Sequence, residues 1–176
     1  YSDVWKVEFV AGVQLAVVAG VIAAIVLFVN LRLAGRFGSV ISTEELDDEG
    51  EPFRSNAWLH SGVRRTATVV VLAFVVFNAL GALIYRQEYL WFMNREPFGV
   101  VDPQLGVDVG FYLFTLPLLT ALVTWFFQLV VLALILTAAV HYLNGGIELA
   151  PGKPPTIGRA AKAHVSILVA VLALLR

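Results

Sequence analysis

Apolar positions gather into three long runs, at 9–31, 66–85 and 118–140, with no formal charge inside any of them. Glu8 and Arg32, Arg65 and Arg86, and Pro117 and His141 stand at their borders. A helix rising 1.5 Å per residue needs about 20 residues to cross roughly 30 Å of hydrocarbon, so each run predicts a membrane span. A fourth apolar run, at 164–176, meets the chain end and is expected to be a truncated span. The fold class that follows is all-α: a polytopic transmembrane bundle of about four helices in a single membrane domain, 1–176.

Between the runs lie three polar connections, at 34–65, 86–116 and 144–163. The first holds the acidic run Glu44, Glu45, Asp47, Asp48, Glu49 and Glu51, which reads as solvated chain. Ser42 and Glu45 have capping-box spacing, so a short helix is expected to start there. The carboxylates match no calcium-loop pattern, and no metal is expected on them. The second connection is an interfacial aromatic loop or short helix. Tyr89, Trp91, Phe92 and Phe98 suit a water–lipid boundary, where a ring has an apolar face and a wet edge. Pro97, Gly99, Pro103 and Gly106 then break regular structure, and Asp102-Pro103 favours a turn. Pro117 suits the first turn of the next helix. In the third connection Gly145-Gly146 stops a helix, and Thr156 is the expected N-cap of the next.

Basic residues set the expected orientation. Arg32, Arg36, Arg54, Arg64 and Arg65 flank or occupy the first connection, and Lys153, Arg159 and Lys162 the third. Only Lys6, Arg86 and Arg95 fall on the opposite side. Basic residues in short loops favour the cytoplasm, so 34–65 and 144–163 are expected inside and 86–116 outside. In the first run Gly12, Ala16, Gly20 and Ala24 recur every four residues and predict a helix-packing face. The partner helix is expected within this chain or in another copy.

Composition agrees. The chain is 59% hydrophobic and 14% charged, against about 45–50% and about 25% for soluble domains. A net charge of −1 gives no electrostatic footprint for nucleic acid. The absence of cysteine removes disulfides, thiolate metal sites and a cysteine nucleophile. The chain starts at Tyr1 and ends in an apolar run, and reads as part of a longer polypeptide without a cleavable signal. Gln14, Asn78, Gln128 and several threonines are polar residues of the spans, and read as helix–helix hydrogen bonds worth about 1 kcal/mol each. His141 and His164 lie on one expected side and are close enough to approach. Without a nearby carboxylate they do not make a zinc site by spacing. His60 lies in the first connection. No catalytic set, cofactor loop or metal motif is present. The candidate loop-organising or docking residues are Asn94, Arg95, Glu96, Asp102 and Asp108. Arg95 paired with Glu96, Asp102 or Asp108 is one way to fold that loop.

Asn94, Phe98-Gly99, Asp102-Pro103, Gly106, Asp108 and the run Phe111, Tyr112, Phe114, Leu116, Pro117 resemble a bacterial membrane family catalogued as uncharacterised protein family 0182. It is found mainly in actinobacteria and cyanobacteria. Tyr142-Leu143, Gly145-Gly146-Ile147, Ala163-His164 and the opening Tyr1, Asp3, Val4, Trp5 are similar to it too. Leu105 and Gly110 depart from the family pattern, where Phe and Ser are expected. The resemblance implies several N-terminal spans followed by a large extracytoplasmic region, with this chain as the early spans. It carries no activity and no catalytic residues. The leading expectation is a non-enzymatic multi-pass module of the bacterial cytoplasmic membrane. Its partners would be the bilayer, the missing regions of the same protein, another copy or an envelope protein. The rivals are a transporter or channel subunit for lipid or envelope components, and a membrane enzyme whose catalytic groups lie elsewhere.

Overall fold

The computed structural model describes residues 2–38, 57–148, 152 and 154–176. The chain is a helical bundle, as its apolar runs require. Helix α1 spans Ser2–Gly38 and α2 spans Ala57–Gly81. A 3₁₀ turn at Ala82–Tyr85 leads into α3, Arg86–Met93. A π-helical turn, Phe111–Thr115, runs into α4, Leu116–Leu143. Two short strands, β1 (Ile147–Glu148) and β2 (Thr156–Ile157), pair antiparallel ahead of α5, Arg159–Leu174. Three segments are long and apolar enough to cross a membrane: Asp3–Gly35, Arg65–Met93 and Phe111–Leu143. Only 22%, 17% and 33% of their most apolar windows are buried within the chain. Helices apolar on all sides and this exposed need lipid or further protein around them.

The described helices outrun the apolar runs. Helix α1 continues through Ala34 to Gly38, and α2 begins at Ala57, so the polar connection expected at 34–65 is shorter. The capping box at Ser42 and the acidic run lie outside the described residues. Pro117 stands in the first turn of α4, as expected, where its missing N–H costs nothing, and the π turn Phe111–Thr115 runs straight into that helix. Thr156 does not cap α5. It pairs with Glu148 in the two-stranded ladder, and Gly158 takes the N-cap place in an extended conformation.

The core is an alanine-rich seam. Ala19, Ala23 and Leu27 of α1 meet Val71 of α2, Ala82, and Trp125, Leu129, Ala133 and Leu136 of α4. Small side chains bring the helix backbones close, which supplies packing energy where lipid leaves no hydrophobic drive. Of the expected face, Gly12 is buried and Ala16, Gly20 and Ala24 are half-buried. A side chain on Gly12 would meet Leu83, and one on Gly20 would meet Ala79, each at 3.4 Å. The buried apolar line of α1, Ala11, Ala19, Ala23, Leu27 and Ala34, runs beside that face.

Candidate functional site

Two polar constructions stand at opposite ends of the bundle. The first is the 94–110 loop. Asn94 closes α3, its side-chain amide donating to the Leu90 carbonyl at 2.8 Å. The chain then folds into a small hairpin. Val101 bridges Asp108, and the Asp102 and Val109 amides donate to the Val107 and Val100 carbonyls, each at 2.9 Å. Asp102 Oδ1 accepts the amides of Gln104 (2.8 Å) and Leu105 (2.9 Å), the turn its position before Pro103 favours. Gly106, with φ +66, closes that turn in a conformation costly for other residues.

Asp108 ties the hairpin to the helices. Its carboxylate accepts the amides of Phe98 (3.1 Å), Gly99 (2.9 Å) and Gly110 (2.7 Å). The Phe98 bond, then those from Gly110 and Gly99, hold its carboxyl below the usual carboxylate value, because each donor favours the charged form. The close approach needs Gly110: a Cβ there would lie 2.8 Å from Asp108 Oδ1 and 3.0 Å from the Glu96 carbonyl. Phe98 also stacks on Phe114, ring centroids 5.9 Å apart, joining loop to π turn. Arg95 does not form the expected ion pair. Its guanidinium donates to the Phe92 carbonyl at 2.9 Å and lies over the Phe92 ring at 4.1 Å. Among the described residues the ion pairs are Lys6–Asp3 and Arg86–Glu8. Loop geometry is thus set by carboxylate-to-backbone bonds at Asp102 and Asp108. The loop leaves Phe98, Val100, Val101 and Leu105 exposed.

The second construction is a buried polar chain joining α1, α4 and α5. His164 Nε2 lies 3.1 Å from Asn30 Oδ1, and His164 Nδ1 lies 3.4 Å from His141 Nε2. Asn30 Nδ2 donates to the Val26 carbonyl at 2.7 Å, which leaves Oδ1 to accept. His164 Nε2 is therefore the donor, its Nδ1 accepts, and His141 Nε2 donates. His141 and His164 are both buried. One turn from His141, Thr137 is buried with a hydroxyl that has no hydrogen-bond partner. The meeting of the two histidines was legible in the sequence; Asn30 and Thr137 were not singled out, because one polar residue in an apolar run carries no periodic signal. Among the described residues no group of three or more His, Cys, Asp or Glu is arranged to hold a metal ion.

Of the other span polars Gln14 makes the expected bond between helices, whereas the Asn78 side chain bonds within its own helix. Gln14 Oε1 accepts the Tyr89 hydroxyl at 3.1 Å, which fastens α3 to α1 beside Arg86–Glu8. The Asn78 side chain donates to the Phe74 carbonyl at 3.0 Å, and its own carbonyl faces Trp125 Nε1 at 3.5 Å. Gln128 is exposed on α4.

Comparison with known proteins agrees with the resemblance read from the loop. The family described as Uncharacterised protein family (UPF0182) matches residues 1–176. A UPF0182 protein of Salinispora arenicola is 36% identical over 176 residues, covering 100% of this chain and 18% of the relative. One from Corynebacterium efficiens is 32% identical over 187 residues, with the same two coverages. One from Kocuria rhizophila is 35% identical over 180 residues, covering 99% of this chain and 17% of the relative. The chain thus spans less than a fifth of the length of these relatives. No solved structure matches it. On a match running from the first residue to the last, the chain belongs to the uncharacterised protein family UPF0182.

Proposed function

We propose that this chain is a multi-pass membrane module of the bacterial cytoplasmic membrane that docks an extracytoplasmic region of its own polypeptide on the 94–110 loop. The observation that carries the reading is the loop itself. It is folded by Asp102 and Asp108, yet holds Phe98, Val100, Val101 and Leu105 54%, 61%, 57% and 69% exposed. Apolar side chains on a pre-formed turn bind a partner with little ordering cost. Relatives more than five times longer supply ample chain as the occupant. Asn94, Arg95 and Glu96 join the loop to α3, and Gly12 and Gly20 hold α1 against its neighbours, so the loop stands on a fixed base. The basic asymmetry puts this end outside the cell and the histidine end inside.

Two measurements on the full-length protein test this. A photo-crosslinking residue at Leu105 should join to a peptide beyond position 176 of the same chain. Crosslinks to lipid alone would remove the docking reading. In intact cells an impermeant thiol reagent should label Gln104→Cys and spare Ser55→Cys; the reverse pattern overturns the orientation.

A further inference from the structure

Between the α3 segment and α4, at the same end as the loop, runs a groove of about 430 Å³. Tyr85, Glu88 and Tyr112 line one part of it, and Leu116, Thr120 and Thr124 another. From Tyr112 to Thr124 it follows α4 for roughly 18 Å at 1.5 Å per residue. Glu88 Oε2 is buried there with no hydrogen-bond partner. The nearest cations in sequence are engaged elsewhere. Arg86 pairs with Glu8 at 3.4 Å, and Arg95 lies on Phe92. A carboxylate oxygen covered by protein without a donor is costly, and a donor or cation arriving in the groove would remove that cost.

The groove is also graded in polarity. Thr120 and Thr124 donate their hydroxyl protons to the Leu116 and Thr120 carbonyls at 2.9 and 2.8 Å. Their polar groups are thereby satisfied within the helix, so the stretch beside Leu116 and Ala121 receives an apolar chain without leaving a donor stranded. The Glu88 end offers a carboxylate and two tyrosines, with no lysine, arginine or histidine in the lining. That end holds an unpaired carboxylate oxygen and no cationic side chain. A primary ammonium supplies three N–H donors and one positive charge, and aromatic faces add attraction for it. Ile84 and Leu113, next in sequence to Tyr85 and Tyr112, are exposed and apolar.

We propose that this groove binds an aminophospholipid, its primary ammonium on Glu88 between Tyr85 and Tyr112 and an acyl chain along Leu116 to Thr124. The assignment rests on the membrane placement proposed above, and is independent of what docks on the loop. Charge complementarity and the apolar lower half select a lipid over a free amine, which has nothing to fill that half.

The test is native mass spectrometry of the delipidated full-length protein. It is titrated with ethanolamine-, choline- and glycerol-headgroup phospholipids of identical acyl chains. The ethanolamine lipid should be retained at least about tenfold better than the glycerol lipid, as a charge-assisted hydrogen bond implies. Choline, with no N–H, should fall between them. Glu88→Gln should bring the three within about twofold. Equal retention by the parent, or a preference that survives Glu88→Gln, overturns the proposal. Competition by free ethanolamine at equal concentration would assign the site to a soluble amine instead. If Glu88→Gln does not fold, Thr124→Leu decides: it fills the lower groove and should weaken all three lipids, and unchanged retention refutes the assignment. Retention of no lipid of any headgroup likewise overturns the proposal, while the membrane placement is tested separately by the thiol labelling.

Discussion

Replacing Asn30 by Leu removes the acceptor that orients His164, and the size of the effect follows from where the bond sits. His164 Nε2 and Asn30 Oδ1 are 3.1 Å apart, at a site enclosed by α1, α4 and α5, with His164 only 7% exposed. Taking one partner from a buried hydrogen bond costs about 1–3 kcal/mol, more than the bond's net worth, because the remaining group keeps its desolvation penalty. Asn30→Leu and His164→Leu should each destabilise by that amount. The double variant strands only His141, as His164→Leu already does, so it should be no worse than the worse single variant. The coupling should then be at least as large as the smaller single-variant cost, at least about 1 kcal/mol, above the average of about 0.6 kcal/mol for hydrogen bonds between membrane helices. The assay is reversible unfolding of the full-length protein in mixed micelles, read as a four-member cycle. Single-variant costs that add within about 0.3 kcal/mol would show the two groups to be energetically independent. The Asn30–His164 hydrogen bond would then contribute nothing to stability.

Other outcomes are equally direct. Donors to Asp108 lower its folded pKa, so its stabilisation of the loop is complete above the ordinary carboxylate value of 3.8 and is lost as pH falls below it through the folded value. Hydrogen exchange should show the Phe98, Gly99 and Gly110 amides losing protection only in that acid range, and protection independent of pH would contradict it. Asp108→Asn keeps one acceptor oxygen for three donors and should expose at least one of those amides at neutral pH. Gly20→Leu forces α1 from Ala79 and should cost roughly 1–3 kcal/mol in detergent melting; a parent-like melt would show that the contact is unimportant. Gly110→Ala should loosen the loop without affecting the histidine end, because its Cβ meets Asp108 and the Glu96 carbonyl.

The sequence carried the bundle because lipid-length apolar runs admit few alternatives: a backbone without water must satisfy itself along the helix. It was less informative at boundaries. Polar flanks continue helices as readily as they end them, so α1 and α2 extend past their apolar cores. The 3₁₀ turn at Ala82–Tyr85 leaves no mark in hydropathy, since Ala, Leu, Ile and Tyr suit an α-helix equally in that respect. The β1–β2 pair was missed because each strand has two residues, too few to show alternation. The small-residue repeat of α1 marks a side of that helix, while only the positions of α2 and α4 decide which of its residues are most deeply buried.

At the loop, local chemistry was legible and charge pairing was not. Asp before Pro carries its own geometry, because a short carboxylate reaches amides two and three residues on. Asp108 works across ten residues of chain to Phe98, so its role depends on the hairpin it helps to close. Arg95 stands beside an acid in sequence, yet its side chain curls back over Phe92, where an aromatic face and a carbonyl are already in reach. Exposed ion pairs contribute little against the entropy of holding two long side chains, so a nearby backbone acceptor wins. Gly110 joins these facts. Its missing Cβ lets three amides converge on one carboxylate. Position 110 is thus the atom-level centre of the loop, where a side chain would have to displace either Asp108 or the Glu96 carbonyl.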